Sequence, residues 1–315
     1  WTDKSVKTGV TYKYTVRAVY NKVLSSYNKD GAVSLFLSTP TVKIANIANG
    51  IQVKWNSVSG ATGYVVYSAQ FDPVTNKWSG WANRGTVNTT SWTDTTVKSG
   101  VTYKYTVRAL NGNTLSAYKA TGGLIYLAEP TVKISNAAKG IKVKWSQCDG
   151  ATGYTVYRSE YNSETKKWSK WKSRGTAAAT KSSWTDKKVT SGKTYKYTVR
   201  AVNGNFKSSY VSTDSLLYLA QPTVTVKAVD NGINVAWTQH SGATGYRVYQ
   251  YNASTKKWVA IKTTAANIHT VTKLKAGTTY YFIVRAYTSF GGAVIWGANS
   301  LSTAQFLRIS SKSFQ

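Results

Sequence analysis

The chain has 315 residues, 42% of them hydrophobic, with 23 Tyr, 12 Trp, 24 Gly and only 4 Pro; this is material for two or three packed domains and excludes a disordered tail or a Pro-rich linker. Lys and Arg number 41 against 11 Asp and Glu, a formal net charge of +30, which implies an anionic environment or partner and bears on association rather than on fold. The one cysteine, Cys148, excludes an intramolecular disulfide framework, and no apolar run approaches the roughly 20 residues of a membrane span.

The chain opens on WTDKSVKTGVTYKYTVRAV, a string that returns from Trp92 and from Trp184 and, in diverged form as HTVTKLKAGTTYYFIVRAY, from His269. A second block, PTVKIANIANGIQVKWNSVSGATGYVVY from Pro40, returns from Pro130 and Pro222. A period of about 90 residues marks a repeat array. Because the second block precedes the first within each period, the complete units are 40–129, 130–221 and 222–315, and residues 1–39 are the back half of a unit. A half-sandwich exposes core and strand edges. The sequence is therefore expected to be part of a longer array, and Trp1 in place of an initiating Met agrees with a mature product or a fragment.

The 130–221 unit shows the elements. Ile141–Trp145 alternates apolar residues with Lys, the period-two pattern of a half-buried strand. Gly153–Ser159 alternates again, and Thr194–Ala201 sends Tyr195, Tyr197, Val199 and Ala201 inward and Lys196, Thr198 and Arg200 outward. Turn clusters separate these strands, and no stretch keeps a helical period, so the unit reads as an all-β sandwich. Tyr126–Val132 and Tyr218–Val224 leave no free linker, and Pro fixes φ at each junction, which predicts a stiff linear array of quasi-independent repeats.

A Trp in the second strand, GATGY opening the third and SGxTYxYxVRA around the sixth resemble the fibronectin type III family, over all three complete units and the last strands of the fragment. The resemblance implies tandem seven-stranded immunoglobulin-like β-sandwiches, with Trp55, Trp145 and Trp237 in the cores and Tyr103, Tyr195 and Tyr280 as corner tyrosines. It further implies spacer or adhesive roles, as in linkers of secreted polysaccharide-degrading enzymes and in long bacterial surface proteins. The last unit departs from the repeat in carrying His269 where the others have Trp.

Catalysis finds little support, because acid–base or metal chemistry needs clustered Asp, Glu, His or Cys. Cys148 and His240 align with Val58 and read as packing residues, as does His269, while Asp3, Asp94 and Asp186 recur in WTD as turn acceptors, each without a second carboxylate. The chain is thus read as not an enzyme and as needing no metal or cofactor. Trp78, Trp168 and Trp258 brace hairpins by cross-strand contact. Trp81 and Trp171, three residues further on and read by alternation onto the opposite strand face, are the candidates for stacking on glycan rings. Tyr67, Lys104 and Arg108, then Tyr157, Lys196 and Arg200, then Tyr249 and Arg285, fall by parity on one outer face. They form a candidate surface for an anionic polymer, in which Arg or Lys over Tyr builds a cation–π lattice; a solvated face that resists sheet-to-sheet pairing is the plainer alternative.

Counted from the sequence, the fragment and the three units carry +4, +5, +12 and +9. With Lys142 and Lys144 on the opposite sheet, positive charge covers both faces, whereas nucleic-acid binders concentrate it in one stripe. The reading preferred is an extracellular stalk or adhesive array of a bacterial surface protein that clings to anionic cell-envelope polymers. The alternatives are a spacer or carbohydrate-binding segment of a secreted polysaccharide-acting enzyme, and a self-associating subunit of a phage tail or surface fibre.

Overall fold

A computed structural model describes residues 1–230 and 232–307; the end of the last sequence period at 315 lies outside the described residues. Packing divides the chain into two compact units, one of Trp1–Glu129 with Cys148–Thr152 and Arg200–Tyr210, the other of Pro130–Gln147 with Gly153–Val199 and Val211–Gln315. Among the described residues every regular element is a strand, as runs of Val, Ile, Tyr and Thr between Gly-rich turns dictate.

In the first unit, the 40–129 repeat packs one sheet, Ser91–Asp94, Gly50–Trp55 and Val42–Ile47 in that order, against a second built on Gly63–Asp72 and Thr102–Asn111. Lys77–Trp78 and Ala82–Val87 run along the first of those central strands, and Thr114–Leu115 and Leu124–Ile125 along the other. Inward residues of both sheets, among them Ile51, Val53, Val66, Tyr105 and Val107, make the core. Trp55 is 7% exposed, with its ring 5.5 Å from that of Tyr64. The opening fragment consists of two strand pairs, Val10–Tyr14 with Ala32–Phe36 and Val19–Tyr20 with Val23–Leu24. Val16 is 88% exposed, whereas Val107, at the same position of the 40–129 repeat, is fully buried.

In the second unit the same architecture recurs. Val132–Ala137, Gly140–Trp145 and Ser183–Asp186 form one sheet, and Gly153–Asn162 with Thr194–Asn203 centre the other. The last repeat pairs Val224–Val229, Gly232–Trp237 and Ile268–Val271, and orders Lys257–Thr264, Gly245–Asn252, Thr279–Phe290 and Ala293–Asn299 in its second sheet, with Thr303–Phe306 along Thr279–Phe290. Trp145 and Trp237 are 5% and 4% exposed. The corner tyrosines lock the turn before their strand: the backbone N–H of Lys98, Thr190 and Lys275 donates to the hydroxyl of Tyr103, Tyr195 and Tyr280 at 3.0, 3.0 and 2.8 Å.

Alternation gives the side of a strand but not its exposure. Thr198, read as outward, lies on the outer side yet is 2% exposed, as is its counterpart Thr106. In the 40–129 repeat the cause is visible: the chain returns over the face, with Thr106 Oγ1 donating to Lys119 O at 3.1 Å and Thr121 N to Tyr105 O at 2.8 Å. A β-bulge also recurs, between Val66 and Tyr67, Val156 and Tyr157, and Val248 and Tyr249, and leaves Arg84, Arg174 and Ile261 on the partner strand without an opposite residue. Bulges of this kind re-aim a side chain.

Successive repeats meet through one motif used three times. Gly9 faces Gly60, Gly100 faces Gly150 and Gly192 faces Gly242, so closely that a Cβ on the second glycine would stand 2.5, 2.3 and 2.5 Å from the first one's Cα. The hydroxyls of Thr8, Ser99 and Ser191 cross the same junctions to donate to the carbonyls of Ser59, Asp149 and Ser241 at 3.3, 2.8 and 2.8 Å. Asn46 Nδ2 bonds Ile125 O and Lys207 O, and Asn136 Nδ2 bonds Leu217 O and Trp296 O in the same manner. The last repeat carries Ala228 and Ala276 at the Asn and Ser positions.

Candidate functional site

Strand register explains how the basic face forms. In the 40–129 repeat, Thr106 pairs with Tyr67, so Tyr67 lies between Lys104 and Arg108 on the outer face of the central strands. All three are half-buried. Lys104 Nζ stands 4.4 Å from the Trp78 ring centroid and 5.1 Å from that of Trp81; Trp81 meets Tyr118 edge-on at 6.2 Å, and the Arg108 guanidinium lies 5.9 Å over Tyr118. The result is a ladder of rings and cations that runs Trp78, Lys104, Trp81, Tyr118, Arg108. Trp78 and Trp81 thus converge on one cation, contrary to the expectation of opposite faces. The strand Lys77–Trp78 ends before Trp81 and a new one begins at Ala82, so alternation does not carry across the break. Trp81, the glycan candidate, is half-buried and has Lys104 over its ring.

The other repeats reuse the pattern with different partners. Lys196 stands 4.5 Å over Trp168, which packs on Tyr161, and Arg200 lies 5.5 Å over Tyr210. Tyr157 and Trp171 are half-buried, Tyr157 on Gly153–Asn162 and Trp171 just before Lys172–Ala178. In the last repeat Tyr249 pairs with Ile283, and Arg285 faces Arg247 across the strands, both guanidinium groups lying over Trp296 at 5.1 and 4.7 Å. The rings that receive the cations are therefore Trp78, Trp81, Trp168 and Trp296 with Tyr118 and Tyr210, a set that strand parity alone did not bring forward.

The arginines have a structural share in this face. Arg108, Arg200 and Arg285 each donate Nε to a carbonyl of the returning chain, Ser116, Ser208 and Gly297, at 2.7 Å. Arg17 does the same to Ser25 O at 2.6 Å and covers Tyr27 at 5.3 Å. A signal for this was present in the sequence: Arg17, Arg108 and Arg200 are each followed ten residues later by the Tyr they cover, within SSY or SAY. In the 40–129 and 130–221 repeats the cations of the face that rest on tryptophan rings are Lys104 and Lys196.

Behind the face lies a buried polar network. Asp94, 1% exposed, accepts from Thr96 N and Oγ1 and from the Tyr105 hydroxyl at 2.9 Å. Asp186 likewise accepts from Lys188 N and from the Tyr197 hydroxyl at 3.0 Å, and pairs with Arg158 at 2.8 Å and Arg174 at 4.0 Å. Burial first, and the adjacent carboxylate second, raise the Tyr105 and Tyr197 phenols well above the ordinary tyrosine range. The WTD aspartates do accept turn hydrogen bonds, but Asp94 and Asp186 each also have a buried phenol that sequence spacing did not pair with them. Burial, with a smaller contribution from Asp149, pushes the Cys148 thiol up to about 11, and its Sγ donates to Ala128 O at 3.2 Å. Among the described residues no group of three or more His, Cys, Asp or Glu is placed to hold a metal ion, and no helix is long and apolar enough to cross a membrane.

Two facing antiparallel sheets, a core Trp on the second strand and a corner Tyr opening the sixth define an immunoglobulin-like sandwich, here in tandem. The family described as fibronectin type III domain matches residues 220–299. The preceding repeats carry the same sheets and marker residues, and the chain is similar to a tandem array of fibronectin type III domains. It is 28% identical to exoglucanase B of Cellulomonas fimi, over 81% of this chain and 25% of that protein. It is 25% identical to the mouse fibronectin type III domain-containing protein 7, over 84% of this chain and 34% of that protein. The chain therefore spans about a quarter and a third of the length of these two relatives. Among solved structures, a two fibronectin type III domain segment from chicken tenascin aligns with 57% of this chain and 99% of its own, at 16% identity and a TM-score of 0.32.

Proposed function

We propose that this chain is a non-catalytic, extracellular structural and adhesive array of a bacterial surface protein, which holds anionic polymers of the cell envelope against its basic sheet faces. The observation that carries this reading is the net charge of +30, arranged as lysines and arginines on outer sheet faces and interleaved with aromatic rings. Such a face offers an anionic polysaccharide both charge and ring surface, and charge on both sheets suits a matrix better than a single duplex.

A second reading has one observation in its favour. The similarity to an exoglucanase over most of this chain supports a spacer or carbohydrate-binding segment of a polysaccharide-acting enzyme. Sedimentation with purified bacterial cell walls and with insoluble cellulose, across a salt series, separates the two. Binding to walls that disappears as the screening length shortens to about 3 Å at 1 M salt supports the envelope reading. Salt-resistant binding to cellulose replaces it with the enzyme-accessory reading, and then Trp81 and Trp171 become the residues to change first.

A further inference from the structure

The 130–221 repeat bears a cleft of about 660 Å³, between the Tyr161–Trp168 hairpin and the turn Gly192–Thr194. That volume lies within the range of small-molecule sites. Its floor is fixed by Arg158, whose side chain is 11% exposed: one guanidinium nitrogen bonds Asp186 at 2.8 Å and Lys188 O at 2.5 Å, and the group lies 4.8 Å over the Tyr195 ring. The recurrent bulge turns Arg174 toward the same carboxylate, at 4.0 Å. On one side Lys193 pairs with Glu160 at 2.6 Å, while Lys167 and Lys172, also lining the cleft, make no ion pair among the described residues. Counting Glu164 and the underlying Asp186, five cations meet three carboxylates, and a positive surplus remains.

The lining excludes an apolar ligand. Asn162, Thr165 and Ser169 supply amide and hydroxyl groups, and Trp168, 37% exposed, supplies ring surface. Hydroxyl-rich walls, one indole and surplus positive charge together match a sugar that bears an anionic group.

Comparison within the chain shows that this set is particular to one repeat. Where the 130–221 repeat has Arg158, Glu160, Lys172 and Lys193, the 40–129 repeat has Ser68, Gln70, Ala82 and Val101 on the same strands and turn, while Trp78 and Arg84 are kept. A merely soluble basic surface gives no reason to gather these residues around one concavity.

We propose that this cleft is a binding subsite for an acidic saccharide, one or two sugar or polyol residues carrying carboxylate or phosphate. The inference rests on the reading of the array as a binder of anionic polymers and assigns that binding a specific point of recognition. Titration calorimetry on the full chain tests it, with trigalacturonate, a glycerol phosphate trimer and cellotriose as probes and polygalacturonate as the long polymer. At least one anionic trimer is expected to bind, the arm that does so naming the anion, and cellotriose is expected not to. Giving the cleft the other repeat's residues, Lys172→Ala with Lys193→Val, is expected to weaken that trimer roughly tenfold, the scale of one or two lost charge-assisted contacts. Lys133→Ala with Lys144→Ala, which removes the same charge from an exposed cross-strand pair on the other sheet, is expected to change it less than about twofold. Equal weakening by both double variants, or polymer binding without trimer binding, overturns the cleft and leaves the broader reading standing. Cellotriose binding as well as the acidic trimers also overturns it. Failure of both anionic trimers and of the polymer to bind overturns both.

Discussion

Asp94 and Asp186 each place a carboxylate at 1% exposure against a tyrosine hydroxyl, and the last repeat shows what the same position looks like without one. There Val271 stands for the aspartate and Phe282 for the tyrosine, and both are in the core. The pair is therefore exchangeable as a pair and not singly. Asp94→Ala alone strands the buried Tyr105 hydroxyl, and is expected to cost its repeat about 3 kcal/mol in chemical denaturation, the upper range for an orphaned buried polar group. Asp94→Val with Tyr105→Phe is expected to cost under about 1.5 kcal/mol, since a well-packed apolar replacement of a buried polar pair is often near neutral. If the double variant is the worse of the two, the network is worth more than packing can replace.

The same phenols set a limit on alkaline stability. Burial raises the Tyr105 and Tyr197 pKa in the folded state, so folded protein holds these protons more tightly than the unfolded chain does. Their contribution is complete below the unfolded phenol pKa of about 10 and is lost as pH rises beyond it. Unfolding free energy measured between pH 8 and pH 11 should fall with pH, and Tyr105→Phe with Tyr197→Phe should flatten that slope. An unchanged slope would show that other groups govern the alkaline limit.

At the scale of elements, most of the sandwich was legible because period-two alternation reports directly which face is buried. Tyr195, Tyr197, Val199 and Ala201 are at 1% exposure or less, as the alternation of their strand requires. What alternation could not report is anything that depends on a second segment. Thr198 is covered although it lies on the outer side, Arg174 is turned toward Asp186 by a bulge, and Trp81 lies beyond a strand break that resets the count. The candidate site divides in the same way. Placing Tyr67 between Lys104 and Arg108 needed only strand parity and pairing, whereas the rings over which the cations lie belong to hairpins and return segments whose positions no local rule supplies.

The glycine junctions belong to this scale as well. With Gly150 at a φ of 78° and a virtual Cβ 2.3 Å from Gly100, and Gly242 at 85° and 2.5 Å from Gly192, neither position admits a side chain unless the junction opens. Gly242→Ala should therefore uncouple the repeats it joins. In differential scanning calorimetry the transition that spans Gly192 and Gly242 is expected to broaden or split, with a loss of about 1–3 kcal/mol, as for other substitutions at strained positive-φ sites. A sharp transition that keeps its midpoint would mean that the repeats fold independently despite the close approach.

For the whole molecule, the decisive quantity is charge that finds little internal compensation. The ion pairs formed among the described residues gather in the 130–221 repeat, around Arg158, Arg174, Lys193, Glu160 and Asp186. Elsewhere, like charges face each other across strands: Lys43 opposite Lys54, Lys133 opposite Lys144, and Arg247 opposite Arg285. Such pairs destabilise a sheet, and a net charge of +30 repels itself over longer range. Screening reaches about 30 Å at 0.01 M salt but only about 8 Å at 0.15 M, so added salt relieves repulsion between repeats before it weakens short, partly buried pairs. The melting temperature should accordingly rise between those two salt concentrations, by about 4 °C or more if the relief amounts to roughly 1 kcal/mol per repeat. The gain should be largest in the repeats without ion pairs. A polyanion at low salt should reproduce the rise, because it supplies the missing charge directly and stabilises whatever it binds. A melting temperature that falls with salt would instead mean that the Arg158–Asp186 network outweighs the repulsion, and would remove the energetic reason for this array to seek an anionic polymer.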